Sequence, residues 1–313
     1  MSQITDTILM VRPVQFRLNE ETAVNNYYQD QDFHQEIKDA TANSRAQDEF
    51  DAFAKALQVK GINVIIVSDD DKHDTPDSIF PNNWLSTHAN GDAVLYPMFA
   101  ENRRLERRPE VLDRLEEEGF QINNIVDYTS AEDEDVFLEG TGSLLLDRVN
   151  EKAYCSISPR ADEDLLIEFC EDFEYTPVIF TAYQTVDNKR LPIYHTNVMM
   201  ALGEEFAVIC LDCIDEKKQR KNVLKHLKAD GKHVVAITED QVNAFAGNMI
   251  QVKNATGKKF LVMSDQAYNS LDQNQIKQLE KFNEIIHPDI KTIETLGGGS
   301  VRCMMAEVFL PRR

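Results

Sequence analysis

Apolar residues along the chain alternate between two periods. Over Ser44–Val59 they fall at helical spacing, and the residues that follow, GINVIIVS from Gly61, form a short β-branched run. The couple returns four times. Helical patterns cover Pro109–Glu118, Asp162–Asp172, Glu216–Ala229 and Asp272–Asn283. Strand-like runs begin near Gly119 (GFQINNIVD), Tyr175 (YTPVIFTAY), Gly231 (GKHVVAIT) and His287 (HPDIKTIET), 56 to 58 residues apart. Pro109 suits a first helical turn, and Gly61, Gly119 and Gly231 suit the residue that stops a helix. Further strand-like stretches lie between the couples, at Ala93–Met98, Ser143–Leu146, Ala153–Ile157, Ala207–Leu211, Met249–Val252 and Phe260–Met263. The spacing predicts five α/β modules of about 56 residues. Such a unit cannot bury its own apolar face and must pack on its neighbours. A linear stack would expose two ends, and no capping composition is visible. The expected architecture is therefore a ring with pseudo-fivefold symmetry, a five-bladed α/β propeller, with residues 1–313 as one catalytic domain.

A ring brings equivalent positions to its axis. Beyond each strand start by 16 to 20 residues lies a polar segment flanked by Gly or Pro. These segments place Asp77 (PDSIFPNNW), Glu139 (FLEGTGS), His195 (YHTNV), Asn248 (FAGNMI) and Cys303 (GGGSVRCMM) at one expected site. Singly each has an ordinary reading: a buried small thiol, a satisfied histidine, a loop carboxylate in the acidic stretch AEDEDVFLEG. Together a Cys nucleophile, a His proton carrier and a carboxylate that orients the His make a complete covalent-catalysis set. Gly297, Gly298 and Gly299 offer close backbone approach, and Arg302 is a cation expected to favour the thiolate.

Charge narrows the partners. With 33 Lys+Arg against 54 Asp+Glu the formal charge is −21, which disfavours nucleic acid and anionic membranes. No apolar run is long enough for a membrane span, and the composition of Met1 to Val11 leads to no expectation of a secretion signal. The five cysteines are odd in number, and Cys210 and Cys213 form a C-x-x-C without a second pair, so no zinc site is expected. A reducing cytoplasm is the expected compartment. A homo-oligomer stays open. No P-loop or dinucleotide glycine motif is present; GGGS at 297–300 follows the fifth strand-like run.

The residues quoted above give the chain a resemblance to the amidinotransferase, or guanidine-modifying enzyme, superfamily, which includes arginine deiminase, dimethylarginine dimethylaminohydrolase, agmatine deiminase and N-succinylarginine dihydrolase. The resemblance implies the pentein fold, a five-bladed α/β propeller, with no cofactor and no metal. It implies Cys303 as nucleophile, His195 as catalytic histidine and Glu139 in the E-x-G pattern. Asp77 and Phe80 resemble pocket-lining residues, Arg103 and Arg104 a substrate-carboxylate pair, and Arg160 a second carboxylate ligand. Arg107 and Arg108 read as a solvated helix start.

Two departures bear on the substrate. Asn82 and Asn83 stand where guanidine-binding members carry acidic residues, and His195-Thr196-Asn197 stands where deiminases often read H-x-D. A guanidinium favours carboxylate partners, whereas an Asn side chain offers both a donor and an acceptor, which suits a urea. The segment PNNW resembles the citrulline-utilisation hydrolase branch. The expected reaction is citrulline to ornithine, carbon dioxide and ammonia, with Asn82, Asn83, Asn197 and Asn248 among the substrate-binding residues. Deiminase, dimethylarginine hydrolase, succinylarginine dihydrolase and amidinotransferase activities stay open, as does a propeller that serves only as a binding scaffold.

Overall fold

Strand direction changes once within every three-stranded sheet. The computed structural model describes residues 2–313. Among the described residues there are five three-stranded sheets and one two-stranded hairpin, Tyr183–Val186 with Lys189–Pro192. In each sheet the central strand is antiparallel to one neighbour and parallel to the other. The parallel partner is reached through a helical crossover, as parallel pairing requires. Thus Asp92–Leu95 leads through the helix Pro109–Glu117 to Asn124–Asp127, and Phe206–Ile209 leads through Lys217–Ala229 to His233–Ala236. The remaining crossover helices are Asp39–Val59, Glu163–Asp172 and Gln273–Leu279.

The helices form for the reason their pattern indicates. Asp39–Val59 buries Ala42, Ala46, Phe50, Phe53, Ala54 and Leu57 along one stripe. It ends at Gly61, whose φ of 81° is the left-handed value that stops a helix without strain; Gly119 and Gly231 repeat this. Four sheets each come from a continuous stretch. The fifth joins distant parts of the chain: Ala306–Glu307 pairs antiparallel with Thr7–Arg12, with Ile8 opposite Glu307 and Leu9 opposite Ala306.

One expected strand is a helix. HPDIKTIET is β-branched in composition, yet the strand is Glu284–Ile286, just before it, and Lys291–Gly297 is helical. Ile290, Ile293 and Leu296 fall on one buried face. The Glu49 carboxylate accepts the backbone N–H groups of Thr292 (2.8 Å) and Ile293 (3.0 Å), which satisfies the first turn from another helix. The glycine segment therefore follows a helix, and Gly298 (φ 62°) closes it.

The antiparallel strands that flank the sheet centres are short. Three of them, Leu85–Thr87, Met200–Leu202 and Ala306–Glu307, have two or three residues. They meet across sheets: Ala306–Glu307 contacts Leu85–Thr87, and Met200–Leu202 contacts both Leu144–Asp147 and Ile250–Lys253. Tight turns come just ahead of such strands. Pro81–Asn83 is a 3-10 turn, while Gly140–Ser143 and Thr196–Met199 are single helical turns. The Gly140–Ser143 turn touches both others. No helix among the described residues is long and apolar enough to cross a membrane.

Candidate active site

Cys303 sits in the turn that enters the last strand, its N–H donating to the Ser300 carbonyl at 3.0 Å. It is buried, and the side-chain amides of Asn248 and Asn197 approach its Sγ at 3.3 and 3.5 Å. The glycines before it admit an aromatic wall. A Cβ on Gly297 would fall 2.8 Å from the Phe80 ring, and one on Gly299 3.0 Å from it. The cationic neighbour expected for the thiol is otherwise engaged: the Arg302 guanidinium donates to the Met305 carbonyl and to Glu307, both at 2.9 Å. Amides, not a guanidinium, contact the sulfur.

His195 Nε2 and Glu139 Oε2 are 2.7 Å apart, and both side chains are buried. Glu139 Oε1 accepts the Phe99 N–H at 3.0 Å, and Arg160 Nη1 lies 3.5 Å from Oε2. Burial pushes the Glu139 carboxyl up, but Arg160, His195 and Arg103 outweigh it and hold it at about 2. Burial pulls His195 down to about 4 against the opposing pull of Glu139, so the imidazole is neutral near pH 7. Gly142 makes room beside it. A Cβ there would fall 2.3 Å from Asn83 Nδ2 and 2.8 Å from His195 Nδ1.

The Pro81–Asn83 turn and its approaches supply a second group. Asp77 Oδ2 accepts from Asn19 (2.9 Å) and Thr22 (3.1 Å), while Oδ1 is buried without a partner. Burial raises the Asp77 carboxyl, with Arg103 pulling the other way. Asn82 Nδ2 donates to Thr141 at 3.4 Å and its Oδ1 has no partner. Asn83 Oδ1 accepts from Arg103 at 2.9 Å, and its Nδ2 has none.

The three predicted arginines part company. Arg103 is buried with its fork on Glu106, Nε and Nη2 each at 2.9 Å, and it also donates to the Phe80 carbonyl. Burial pushes the Glu106 carboxyl up to about 7 against the pull of Arg103, which stays cationic. Arg103 thus braces the Asp77–Asn83 segment from the cavity wall. Arg104 donates to the Met98 carbonyl at 3.1 Å, lies 3.5 Å from Glu132, and is outside the cavity lining. Arg160 does reach the cavity. It donates to Asn25 Oδ1 and to the Thr22 carbonyl (3.0 Å), with its guanidinium 4.8 Å from the Tyr194 ring centre.

Cys303, His195, Asp77, Phe80, Asn83, Arg103 and Arg160 line one cavity, together with Asn26, Tyr194, Gly297 and Gly299. Glu139 backs His195, and Asn197 and Asn248 back Cys303. The open volume is about 10 Å³, room for about one water. The cover is residues 19–29, which sequence reasoning missed. Asn26 donates to the carbonyls of Gly297 and Gly298, and Tyr194 donates its hydroxyl to Gly298 at 2.6 Å. The segment is polar and aperiodic, and its only visible signal is the density of amides and hydroxyls.

Small mixed sheets joined by helical crossovers bring a buried thiol, an imidazole and a carboxylate together, and the fold is of the pentein type. Residues 12–310 match the sequence profile described as N,N dimethylarginine dimethylhydrolase, eukaryotic, and the chain belongs to that family. No curated protein matches its sequence. The fold is similar to that of ArgZ, an arginine dihydrolase from the ornithine-ammonia cycle in cyanobacteria (TM-score 0.71, 16% identity), over 98% of this chain and 41% of that one. The chain thus spans about two fifths of full-length ArgZ. The substrate-bound N-terminal domain of ArgZ aligns over 96% of this chain and 97% of its own (TM-score 0.69, 16% identity). A dimethylarginine dimethylaminohydrolase variant carrying an S-methyl-L-thiocitrulline adduct aligns over 97% of this chain and 100% of its own (TM-score 0.65, 13% identity).

Proposed function

We propose that the chain hydrolyses the ureido group of a free amino acid, citrulline, to ornithine, carbon dioxide and ammonia. One observation carries the choice of a neutral substrate. Arg103 is a permanent donor, so the Asn83 atom facing it is the oxygen, and the amide NH2 is left without a partner in the cavity wall. A guanidinium has no acceptor to offer that N–H, whereas a ureido oxygen does. The free Asp77 Oδ1 would take an N–H from the ureido NH2.

The chemistry follows from the charge states. The thiol proton of Cys303 passes to neutral His195, and the thiolate attacks the ureido carbon. Asn83 Nδ2 donates to the oxygen as charge develops on it. The C–N bond to the side-chain nitrogen breaks, His195 gives its proton to that nitrogen, and Glu139 steadies the imidazolium in between. A carbamoyl group remains on sulfur. His195 then takes a proton from water, the hydroxide attacks, the S–C bond breaks, and the carbamic acid released falls to carbon dioxide and ammonia. Arg160 is the proposed ligand of the substrate carboxylate, which would displace Asn25 Oδ1 and the Thr22 carbonyl from its fork. Phe80 packs beside the reacting carbon.

We read the five sheets as blades of one ring, and residues 1–313 as one catalytic unit. The contacts among the short strands and the pairing of residues 7–12 with 306–307 support this. A reducing cytoplasm is the proposed compartment, in keeping with five free, buried cysteines.

A second reading keeps Asp77 as the partner of a guanidinium, since a buried carboxylate oxygen without a partner is favourable ground for a cation. The deciding experiment incubates the protein with citrulline, arginine, dimethylarginine or N-succinylarginine, with Cys303→Ser as blank, and quantifies ammonia and the amino-acid product. Ornithine from citrulline alone supports the ureido reading. Citrulline formed from arginine or dimethylarginine overturns it.

A further inference from the structure

Asn248 presents an N–H to the Cys303 sulfur, and its other bonds leave no alternative. Its Oδ1 accepts the Arg302 backbone N–H at 3.0 Å, and its Nδ2 donates to the Asn197 carbonyl at 3.1 Å. The amide is therefore fixed in orientation, and the second hydrogen of Nδ2 is directed at Sγ, 3.3 Å away. Asn197 brings a second Nδ2 to the same sulfur at 3.5 Å. All three side chains are at least 97% buried.

A thiol is a weak acceptor and a thiolate a strong one. Two N–H donors on one sulfur, away from water, favour the charged form by hydrogen bonding. We infer that Asn197 and Asn248 form a two-amide cradle that stabilises the Cys303 thiolate once its proton has passed to His195, rather than contacting substrate themselves. The other charged or titratable groups on the cavity are Asp77, Arg103, Arg160, His195 and Tyr194. Both guanidiniums are already committed, Arg103 to Glu106 and Arg160 to Asn25, Thr22 and Glu139. The amides are thus the groups in hydrogen-bond contact with the sulfur. One link rests on the ureido reading: a guanidinium would bring its own positive charge to the sulfur, a ureido group brings none, and the protein must then supply the stabilisation from its own dipoles.

The test needs no substrate. Native enzyme is treated with iodoacetamide at pH 7 and followed by intact mass, with Cys303→Ser as blank. In alkylation the S–C bond forms and iodide leaves. Asn248→Asp keeps the oxygen that holds Arg302 and loses the donor, and Asn197→Ala removes the second donor. Each is expected to slow alkylation of Cys303 about ten-fold in the folded variant. Alkylation within two-fold of wild type in both folded variants would overturn the cradle. If one variant fails to fold, the other decides alone; if both fail, Asn248→Ser and Asn197→Ser replace them on the same ten-fold and two-fold limits. The substrate assay above decides the ureido reading separately, so the two can fail independently.

Discussion

The Arg103 guanidinium donates to the Asn83 side-chain Oδ1 at 2.9 Å, and that contact decides which end of the amide faces the cavity. Arg103 is in turn locked by Glu106 three residues on, so the orientation is inherited from a buried ion pair. Asn83→Asp would put an acceptor where the unpartnered donor stands. Catalytic efficiency on citrulline is expected to fall about 100-fold, the scale of losing one oxyanion donor. Unchanged citrulline turnover in the folded variant would remove Asn83 from the mechanism.

His195 and Glu139 set an acid limit. The His195 folded value of about 4 lies below the ordinary 6.5, so the unfolded chain binds a proton that the folded chain does not between those values. Its contribution, roughly 3 kcal/mol at neutral pH, is lost as pH falls from about 6.5 to 4. Glu106 and Glu294, each raised to about 7 chiefly by burial, act in the opposite sense, losing stability as pH rises from about 4.5 to 7. Comparing wild type with His195→Gln isolates the histidine. Thermal melts should show wild type losing more than the variant between pH 7 and 4, and equal losses would contradict a depressed His195.

Gly142→Ala tests the tightness of the site. The added Cβ meets Asn83 Nδ2 and His195 Nδ1 inside any normal contact distance, and both belong to side chains already held by Arg103 and Glu139. Turnover is expected to fall by about 100-fold or more, since small misplacements of positioned groups cost about that factor. Full activity in steady-state assays would mean that Asn83 and His195 have room to spare.

Arg160→Ala separates binding from chemistry. Asn25 Oδ1 and the Thr22 carbonyl hold its fork as neutral acceptors, a role a substrate carboxylate would take over. Loss of a charge-assisted bond of about 1.5–3 kcal/mol predicts a rise in KM by roughly 10- to 150-fold. A smaller fall in kcat accompanies it, because Glu139 loses a neighbouring cation. Steady-state kinetics that show only the kcat effect would assign Arg160 to Glu139 alone.

The repeat was legible because a helix stripe followed by a β-branched run is a strong periodic signal, and the glycine stops reinforced it. The signal failed in two places. HPDIKTIET has strand composition, but a carboxylate from Glu49, distant in sequence, completes its helical first turn, and no local pattern reports that. The short inner strands carry too few residues for any period to show. In the site, Asp77, Glu139, His195, Asn248 and Cys303 were legible by their shared offset from the strand-like runs. What their neighbours do was not. Arg302 looked like a cation for the thiol until its own partner, Glu307, came into view. Arg103 looked like a ligand for substrate, although the Glu106 that occupies it lies in the same ENRRLERR segment. The cover over the cavity, with Asn19, Thr22, Asn25 and Asn26, has no periodicity because its bonds run to other segments rather than along itself.

The pairing of Ala306–Glu307 with Thr7–Arg12 has a temporal meaning. Cys303 lies just ahead of that strand, and Thr5 bonds to Val308 across 303 positions of sequence. Contacts this distant must first overcome loop-closure entropy and are expected to form late. The Cys303 thiol is therefore expected to meet its amide neighbours near the end of folding. Partly folded molecules would carry a thiol with none of its amide neighbours in place, so recovery of turnover during refolding would report closure of the sheet more directly than recovery of secondary structure.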